Sequence, residues 1–354
     1  MNKLEISLPR RPGQQELVDE LRRRIRSGEL PPEARLPSFA ELQQGQGYSR
    51  VAVEGAYAAL ERDGLIRREP KRGVFVAPQA AKAKHQLIGL YMHTKDSGRE
   101  SYSSRLLSGL RRGAARQGWE LLLLDNPPSS GWERVDGLLV YGNANTEVSD
   151  AMPAIPTVAL MWPHSTHCSI DIDDFQASRR IGQHLIGMGH RRIAYMGFKY
   201  SLPSAVRVIG YGSAFHTSGL PYDHRWIRDL TDYADNMIAK SRRNMEDWLR
   251  EDWHELGCTA IVAQNDYAAI GIMQALQATG LSVPRDVSVV GFDDIGECEV
   301  CTPRLTTIAV PLEEIGERAM ELLAEQINGE HMGVRPCVLP TRLVVRESTA
   351  PPRD

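Results

Sequence analysis

The sequence predicts an α/β protein in which a small helical domain precedes a large domain built on mostly parallel sheets. From Leu87 onward, short apolar runs alternate with amphipathic stretches of helical periodicity, the pattern of strands joined by crossover helices. Residues 1–76 instead read as three helices followed by a hairpin. The stretch between them, residues 77–86, is rich in Ala, Lys and Gln without apolar periodicity, which indicates a linker.

Composition limits the classes of protein to which the chain can belong. Hydrophobic residues make up 42% of the chain and charged residues 25%, so a packed core can form and wholesale disorder is excluded. No apolar run approaches the length of a membrane-spanning helix, and the N-terminus lacks the apolar segment of a secretory signal. Five scattered cysteines fit reduced thiols. We therefore expect a cytoplasmic protein with no membrane partner.

Charge is distributed unevenly along the chain. The formal net charge is −3, which by itself suggests no polyanionic partner. Residues 1–78, however, contain 14 Lys and Arg against 11 Asp and Glu, so the remainder is acidic. A basic excess confined to a segment of domain size is a mild indication of nucleic-acid binding.

Residues 1–76 contain clear signals for the start of each helix. A first helix is predicted over residues 14–27, and Ser38 with Glu41 forms a capping box at the start of a second, short helix. Ser49 caps a third helix that runs through about Asp63. Two short strands then surround a turn of sequence PKRG. This order of elements predicts a winged helix-turn-helix.

The physical chemistry of this arrangement suits DNA. A helix that begins with Ser49 and Arg50 can enter the major groove, where the arginine can pair with a guanine edge. The hairpin places Lys71 and Arg72 beside the phosphate backbone. Residues 14–76 resemble the DNA-binding domain of the GntR family of bacterial repressors, through the stretches IRSGELPPEARLPS, YSRVAVEGAYAALERDGLI and KRGVFV. The resemblance implies DNA contacts from Ser38, Ser49, Arg50, Lys71, Arg72 and Gly73.

The head departs from the family pattern at three positions. Ala40 and Glu54 stand where the family usually has arginines, and Ala52 stands where it often has a threonine. The loss of two cations and the gain of a carboxylate should weaken DNA binding and change the operator.

In the large domain, the apolar runs are hydrophobic along both faces, as expected for parallel strands covered by helices on two sides. The predicted strands are 87–92, 119–124, 137–142, 157–162, 192–198, 259–264 and 287–292, and helical periodicity covers 102–117, 174–189, 236–256, 266–280 and 312–328. Asn265 and Asp293 directly follow two of these strands, and Arg207 is expected in a loop after a third. Such side chains at the carboxyl edge of a sheet suit a sugar or nucleoside, with purine and sugar phosphate left open.

The large domain resembles the effector-binding domain of the LacI/GalR family over residues 86–348. The matching stretches include SIDIDDFQAS, HLIGMGHRRIAYMGF, RVIGYGSAF, NDYAAIGIMQAL, VPRDVSVVGFDDI and LVVRES. The resemblance implies two Rossmann-like lobes, as in a periplasmic binding protein, joined by three crossovers. The expected first lobe spans about 87–172 and 296–328, the second about 173–295 and 329–348, with a tail at 349–354. The implied ligand residues are Tyr102, Trp162, Asp171, Arg207, Tyr233, Asn265 and Asp293.

Other motifs carry less weight. The segment 125–136 is too short and too rich in Pro and Ser for the helix that the family places there, so the first lobe is expected to lack one covering helix. His164, His167 and Cys168 have crude metal spacing without a second pair of ligands, and no catalytic constellation stands out, so we expect neither metal, cofactor nor enzymatic activity.

The sequence thus favours a homodimeric, ligand-controlled repressor that binds operator DNA. The alternative is a small-molecule-binding protein or enzyme with a degenerate head.

Overall fold

A computed structural model gives the fold of the chain and confirms a mixed α/β architecture with a helix-turn-helix head and two parallel-sheet lobes. The chain divides into two compact units, a smaller one built mainly from residues 1–87 and a larger one that carries both six-stranded sheets. The structure describes residues 13–26, 29–62, 65–70, 72–77, 86–92, 100–124, 135–142, 155–162, 167–199, 203–231, 236–328 and 334–353.

The head contains the predicted three helices and hairpin. They are α1 (Gln14–Arg26), α2 (Phe39–Gln46), α3 (Arg50–Arg62), β1 (Ile66–Glu69) and β2 (Gly73–Val76), with β1 and β2 antiparallel. Apolar residues at helical spacing on α1 and α3 close the core, since Leu17, Leu21, Val53 and Leu60 are all buried. The expected linker lies outside the described residues except for Ala77 and Gln86.

The first lobe is a six-stranded sheet with the order β13-β7-β6-β5-β3-β4. The pairs β13–β7, β7–β6, β6–β5 and β5–β3 are parallel, and the strands at the centre are buried, as their doubly apolar sequences predict. Its elements are β3 (Leu87–Met92), α4 (Glu100–Gln117), β4 (Glu120–Leu124), β5 (Gly137–Tyr141), β6 (Thr157–Leu160), β7 (Cys168–Ile172), α11 (Leu312–Ile327) and β13 (Pro336–Leu339). Residues 125–134, where a covering helix was expected to be missing, lie outside the described part of the chain.

The second lobe is a six-stranded sheet with the order β14-β12-β11-β10-β8-β9, parallel except for the β12–β14 pair. Its strands are β8 (Ile193–Gly197), β9 (Ile227–Asp229), β10 (Ala260–Ala263), β11 (Ser288–Asp293), β12 (Thr306–Ala309) and β14 (Arg342–Val344). Its helices are α5 (Asp174–Gly187), α6 (Ser204–Thr217), α7 (Met237–Glu251), α8 (Trp253–Leu256), α9 (Asp266–Ala278) and α10 (Glu297–Val300).

Two strands pair differently from the lobe division expected from the sequence. Thr306–Ala309, expected in the first lobe, is parallel to β11 in the second. Pro336–Leu339, expected in the second lobe, is parallel to β7 in the first. The second and third crossings between the lobes therefore lie near residues 310 and 340 rather than near 296 and 329. An apolar run specifies a strand, but it does not specify which of two parallel sheets has an open edge for it.

The segment expected to form a tail, residues 349–354, begins with residues that pack against the second lobe. The backbone carbonyl of Ser348 accepts a hydrogen bond from the Val289 amide, at 2.8 Å. The carbonyl of Ala350 lies 2.9 Å from Nε2 of His190 and 3.0 Å from the Ser288 hydroxyl. These contacts extend the order of the second lobe beyond residue 348, because buried backbone groups at the start of β11 require partners.

Close packing of α5 against α6 requires a glycine at the point of contact. A Cβ at Gly210 would lie 2.3 Å from the carbonyl oxygen of Phe175, much closer than atoms can approach. This contact fixes α6, and with it the first-turn residue Arg207, against the start of α5. Among the described residues, no helix combines the length and apolar character that a membrane crossing requires.

Candidate functional site

The N-terminal end of α3 has the geometry expected for a DNA-reading helix. The hydroxyl of Ser49 accepts a hydrogen bond from the Ala52 amide at 3.2 Å and so caps the helix. Arg50 follows with 74% of its side chain exposed, and its Nε donates to Oε1 of Glu54 at 2.9 Å. The Arg50 guanidinium also lies 5.9 Å from the ring centroid of Phe39. Glu54, which stands where the related family has an arginine, thus pairs with the residue predicted to read a base.

The wing contains two exposed arginines near its glycine. Gly73 has a φ of +123°, a conformation that side-chain-bearing residues rarely adopt. Arg72 pairs with Glu69 at 2.6 Å, and Arg35 lies beside Gly73, with Nε 3.2 Å from the position of a Cβ there. No acidic side chain within the described residues forms an ion pair with Arg35. Lys71, the other predicted wing cation, lies outside the described residues.

Ser38 has the structural role that its capping box predicts. Its hydroxyl accepts from the Glu41 amide at 3.4 Å, and its own amide donates to the Glu41 carboxylate at 2.5 Å. This cap fixes the start of α2, which in turn carries Phe39 beneath Arg50. A contact of Ser38 with a phosphate stays a prediction.

At the carboxyl edge of the second lobe, Arg207 forms the centre of a buried cluster. It lies on the first turn of α6 rather than in the loop that the sequence predicted. Its Nε donates to Oδ1 of Asp174 at 2.6 Å, and its Nη1 donates to the Gln264 carbonyl at 2.7 Å. The guanidinium lies 3.6 Å from the ring centroid of Phe292, so the ring shields one of its faces.

The electrostatics of this cluster favour a charged arginine. Burial alone would lower the pKa of Arg207, but the carboxylates of Asp174 and Asp293 outweigh burial and raise it. The predicted ligand residues Arg207 and Asp293 are therefore close enough to interact electrostatically. Asp174, which sequence reasoning did not single out, is the nearer carboxylate. A negative and a positive group at one edge can each hydrogen-bond a hydroxyl group.

Backbone geometry at the end of β11 sets the position of Asp293. Asp293 has a φ of +120° and Asp294 a φ of +61°, both in the region that favours glycine. Two consecutive residues in this region cost free energy, which marks the turn as a place where function constrains the backbone. The turn places the buried Asp293 at the sheet edge while Asp294 pairs with Arg346 at 2.7 Å.

Three buried donors at this edge have no hydrogen-bond partner within the described residues. They are Nδ2 of Asn265, Nε2 of Gln264 and the hydroxyl of Tyr195, each on a residue that is almost fully buried. The Asn265 Oδ1 is used as the cap of α9, where it accepts from the Ala268 amide at 2.9 Å. An unpartnered buried donor is costly, so hydroxyl or carbonyl oxygens of a ligand would satisfy these groups.

Asp171 contributes a titratable group close to the cluster. Burial raises its pKa to about 6, and the nearby Asp174 carboxylate acts in the same direction. The amide of Ile172 donates to Oδ1 of Asp171 at 2.8 Å and partly offsets the effect of burial, as does Arg207. Asp171 can therefore change from hydrogen-bond acceptor to donor near neutral pH.

The three predicted aromatic ligand residues are placed as follows. Tyr102 is buried on α4, with its ring centroid 6.5 Å from that of Tyr141. Trp162 is half-buried just after β6. Tyr233 lies outside the described residues. The structure thus brings together Arg207, Asn265, Asp293 and Asp171, and the ligand roles of the three aromatic residues stay predictions.

Contacts across the two lobes lie beside the cluster. Ser101, at the start of α4, donates from its amide to the Tyr267 hydroxyl at 3.3 Å, and its hydroxyl lies 2.7 Å from Oε1 of Glu297. Arg105, one turn further, donates to the carbonyl of Asp294 at 2.7 Å. The Arg105 bond connects the first lobe to the turn after β11 that positions Asp293, and the Ser101 bonds connect it to α9 and α10.

Sequence reasoning missed Asp174, Gln264 and Arg35. Asp174 directly follows the helix cap Asp173, so it reads as an ordinary first-turn acid. Gln264 acts partly through its backbone carbonyl, which no sequence motif reveals. Arg35 is brought to the wing by the Arg35–Phe75 bridge, a pairing over 40 residues for which the proline-rich sequence gives no signal.

A cavity lies elsewhere on the second lobe. Its volume is about 440 Å³, and it is lined by Glu246, Arg250 and His254 among others, none of them a predicted site residue. Within the described residues, no group of three His, Cys, Asp or Glu side chains is arranged to hold a metal ion. His164, part of the weak metal motif, lies outside them.

Comparisons with known proteins agree with both parts of this description. Residues 14–76 match the family of bacterial regulatory proteins named gntR, and residues 183–349 match a periplasmic binding protein-like domain. The HTH-type transcriptional repressor CytR of Escherichia coli strain K12 is 27% identical over 266 residues, covering 71% of this chain and 76% of CytR. The NTD biosynthesis operon regulator NtdR of Bacillus subtilis is 31% identical over 229 residues, covering 61% and 66%.

Solved structures show the same fold. A LacI family transcriptional regulator from Enterococcus faecium, crystallised with ribose, superposes with a TM-score of 0.64. The match covers 75% of this chain and 99% of that one at 24% identity, so it supports the fold. The chain therefore joins a helix-turn-helix head to a periplasmic-binding-protein-like domain, and both parts are similar to those of bacterial transcriptional regulators.

Proposed function

We propose that the chain is a ligand-responsive repressor of transcription that works as a cytoplasmic homodimer with a GntR-type head and has no catalytic activity. The observation that carries the proposal is the presence, in one polypeptide, of an exposed Arg50 on a capped helix of a winged head and a buried cluster around Arg207 with unpartnered donors. The first arrangement suits DNA and the second suits a small polar molecule.

In the head, α3 would enter the major groove with Arg50 on a guanine edge, and the wing would lie along the backbone. Arg72, Lys71 and the previously unexpected Arg35 would contact phosphates there. Gly73 allows the backbone to approach closely. Each head of the homodimer would read one half of a near-palindromic operator.

In the large domain, the ligand would bind at the carboxyl edge of the second lobe. Carboxylates of Asp171 and Asp293 accept hydrogen bonds from hydroxyl groups, while the amide of Asn265 donates to ligand oxygens. This combination fits a sugar or nucleoside. The relation in fold to a regulator crystallised with ribose is consistent with a sugar. Tyr102, Trp162 and Tyr233 would stack on an apolar face of the ligand.

Ligand binding would change how the lobes meet. The bonds from Ser101 and Arg105 to the second lobe end at Glu297 and Asp294, next to the ligand edge, so a ligand at Asp293 can alter them. A ligand that binds two lobe arrangements with different affinity shifts the equilibrium between them, and coupling of this kind typically amounts to about 1–3 kcal/mol. Transmission to the DNA-binding head would then control promoter occupancy.

A selection experiment tests the DNA-binding half of the proposal. The full-length chain is incubated with a library of random duplexes at low salt, and bound duplexes are sequenced over several rounds. We expect a two-fold symmetric motif to emerge, and we expect Arg50→Ala to lose it while retaining the wild-type melting temperature. Failure of the wild-type chain to retain any duplex would favour the alternative, a small-molecule-binding protein with a degenerate head. The Arg50–Glu54 ion pair is compatible with that alternative, because it engages the arginine expected to read DNA.

A further inference from the structure

The outward face of α3 presents a small set of side chains with no role in packing. Ala52, Val53 and Ala56 face the core, whereas Arg50 and Glu54 have 74% and 61% of their side chains exposed. Val51 is 79% exposed, so its apolar side chain contributes little to the stability of the free head. An exposed apolar side chain beside an exposed arginine suits the edges of bases, where a thymine methyl offers an apolar contact.

Glu54 restricts the orientation of Arg50. A guanidinium group has five N–H donors in a plane, and Nε is the donor that faces the Glu54 carboxylate at 2.9 Å. The Phe39 ring lies on another side of the guanidinium group, with its centroid 5.9 Å from the guanidinium carbon. With Nε occupied, the two terminal nitrogens remain as a fork that matches the O6 and N7 acceptors of guanine.

Glu54 also changes the charge of this face. A carboxylate near phosphates opposes the attraction that all duplexes exert on a basic head, and this attraction carries no sequence information. Exposed ion pairs contribute little to stability, so the Arg50–Glu54 pair is better explained by its effect on DNA than by its effect on folding.

We propose that Glu54 is a positioning residue that holds Arg50 for end-on reading of guanine and lowers affinity for non-operator DNA. The inference rests on the proposed DNA-binding function and specifies how the head selects its operator. The head would thus bind more weakly than one with an arginine at this position, but would discriminate more sharply.

The test uses the full-length chain, a duplex selected by it from a random library, the same duplex with its guanines replaced one at a time, and poly(dA-dT) as non-operator DNA without guanine. Glu54→Ala removes both the charge and the Arg50 contact, whereas Glu54→Gln removes the charge but keeps an oxygen that can accept from Nε. Glu61→Ala is the matched control, since Glu61 also lies on α3 but pairs with Arg68 at 3.0 Å.

For Glu54→Ala we expect affinity for poly(dA-dT) to rise about threefold to tenfold, with a salt dependence steeper by about one counterion. We expect the penalty for replacing the guanine read by Arg50 to fall about fivefold to twentyfold, because a loose arginine loses its bidentate contact. Glu54→Gln should show the rise in affinity for poly(dA-dT) but keep most of the guanine penalty. Glu61→Ala should leave both unchanged within about twofold.

Two outcomes would overturn the inference, and they are distinguishable. If wild type prefers its selected duplex and Glu54→Ala keeps the full guanine penalty, Glu54 does not position Arg50, although the chain still binds DNA as proposed. If wild type shows no preference between the selected duplex and poly(dA-dT), the proposed function fails and this inference fails with it.

Discussion

The head and the second lobe each place an arginine against a carboxylate, but in opposite environments. Arg50 and Glu54 are mostly exposed, with 74% and 61% of their side chains accessible. Arg207 and Asp174 retain only 10% and 6%. Water screens the first pair, so its separation costs little free energy, whereas the second pair cannot separate without leaving a charge buried. The comparison shows that one ion-pair chemistry can orient an exposed side chain in one domain and fix a buried cluster in the other.

The strongest way to test this contrast is to remove the buried cation. Arg207→Met should lower the free energy of unfolding of the large domain by about 3–5 kcal/mol, because Asp174 and Asp293 would remain buried without their cation. Urea unfolding followed by tryptophan fluorescence measures this domain, since all six tryptophans lie beyond residue 86. The double variant Arg207→Met with Asp174→Leu should recover part of the loss. If the free energy of unfolding falls as little as it would at an exposed ion pair, the stability of the large domain does not depend on the buried Arg207 cluster.

Replacement of Asp171 is expected to raise the stability of the chain, whereas replacement of Arg207 lowers it. The folded pKa of Asp171, about 6, lies above the ordinary value of 3.8, so the unfolded chain ionises first and wild-type stability decreases as pH rises from about 4 to 6. Above pH 7 the full penalty of a buried charge is present. Asp171→Asn should therefore stabilise the chain by about 1–2 kcal/mol at pH 7.5 and much less at pH 4.

Melting temperatures of wild type and Asp171→Asn across this pH range measure the difference. A gain that is independent of pH would show that Asp171 is not a buried acid. Asp173→Asn is a suitable control, because Asp173 is exposed and its side chain caps α5.

The smallest effect on stability is expected at the exposed pair. Arg50→Met should leave the thermal unfolding curve of the full chain unchanged within error, because exposed ion pairs contribute little. The same substitution should abolish recognition of the selected duplex. Circular dichroism melting and duplex titration separate the two effects. A clearly lower melting temperature for Arg50→Met would indicate that Arg50 stabilises the head itself. The contrast with Arg207 would then disappear.

Much of the fold could be predicted because its signals are local. The doubly apolar runs at 87–92 and 259–264, the capping box at Ser38 and the cap at Ser49 all occur where the sequence placed them. The sheet to which each late strand belongs could not be predicted, since the sequence of Thr306–Ala309 is compatible with either lobe. Short edge strands such as Ile227–Asp229 have too few residues for a periodicity to be recognised.

The candidate site was predictable to a similar extent. Arg207, Asn265 and Asp293 follow strands whose ends must meet at one edge, and that topology places them together. Asp174 lies on a helix distant in sequence, and only the α5–α6 packing at Gly210 brings it to Arg207. The unpartnered donors on Tyr195 and Gln264 depend on details of packing that no sequence motif encodes.

The central claim is that a small molecule bound at the Arg207 edge controls occupancy of DNA by the head. The direct measurement is titration of the selected duplex with the full-length chain, with and without the sugar or nucleoside that raises its melting temperature most in a screen. The account predicts that a saturating amount of this compound changes the dissociation constant for the duplex at least fivefold, in line with a coupling of about 1–3 kcal/mol. Equal dissociation constants in the presence and absence of the compound would contradict it.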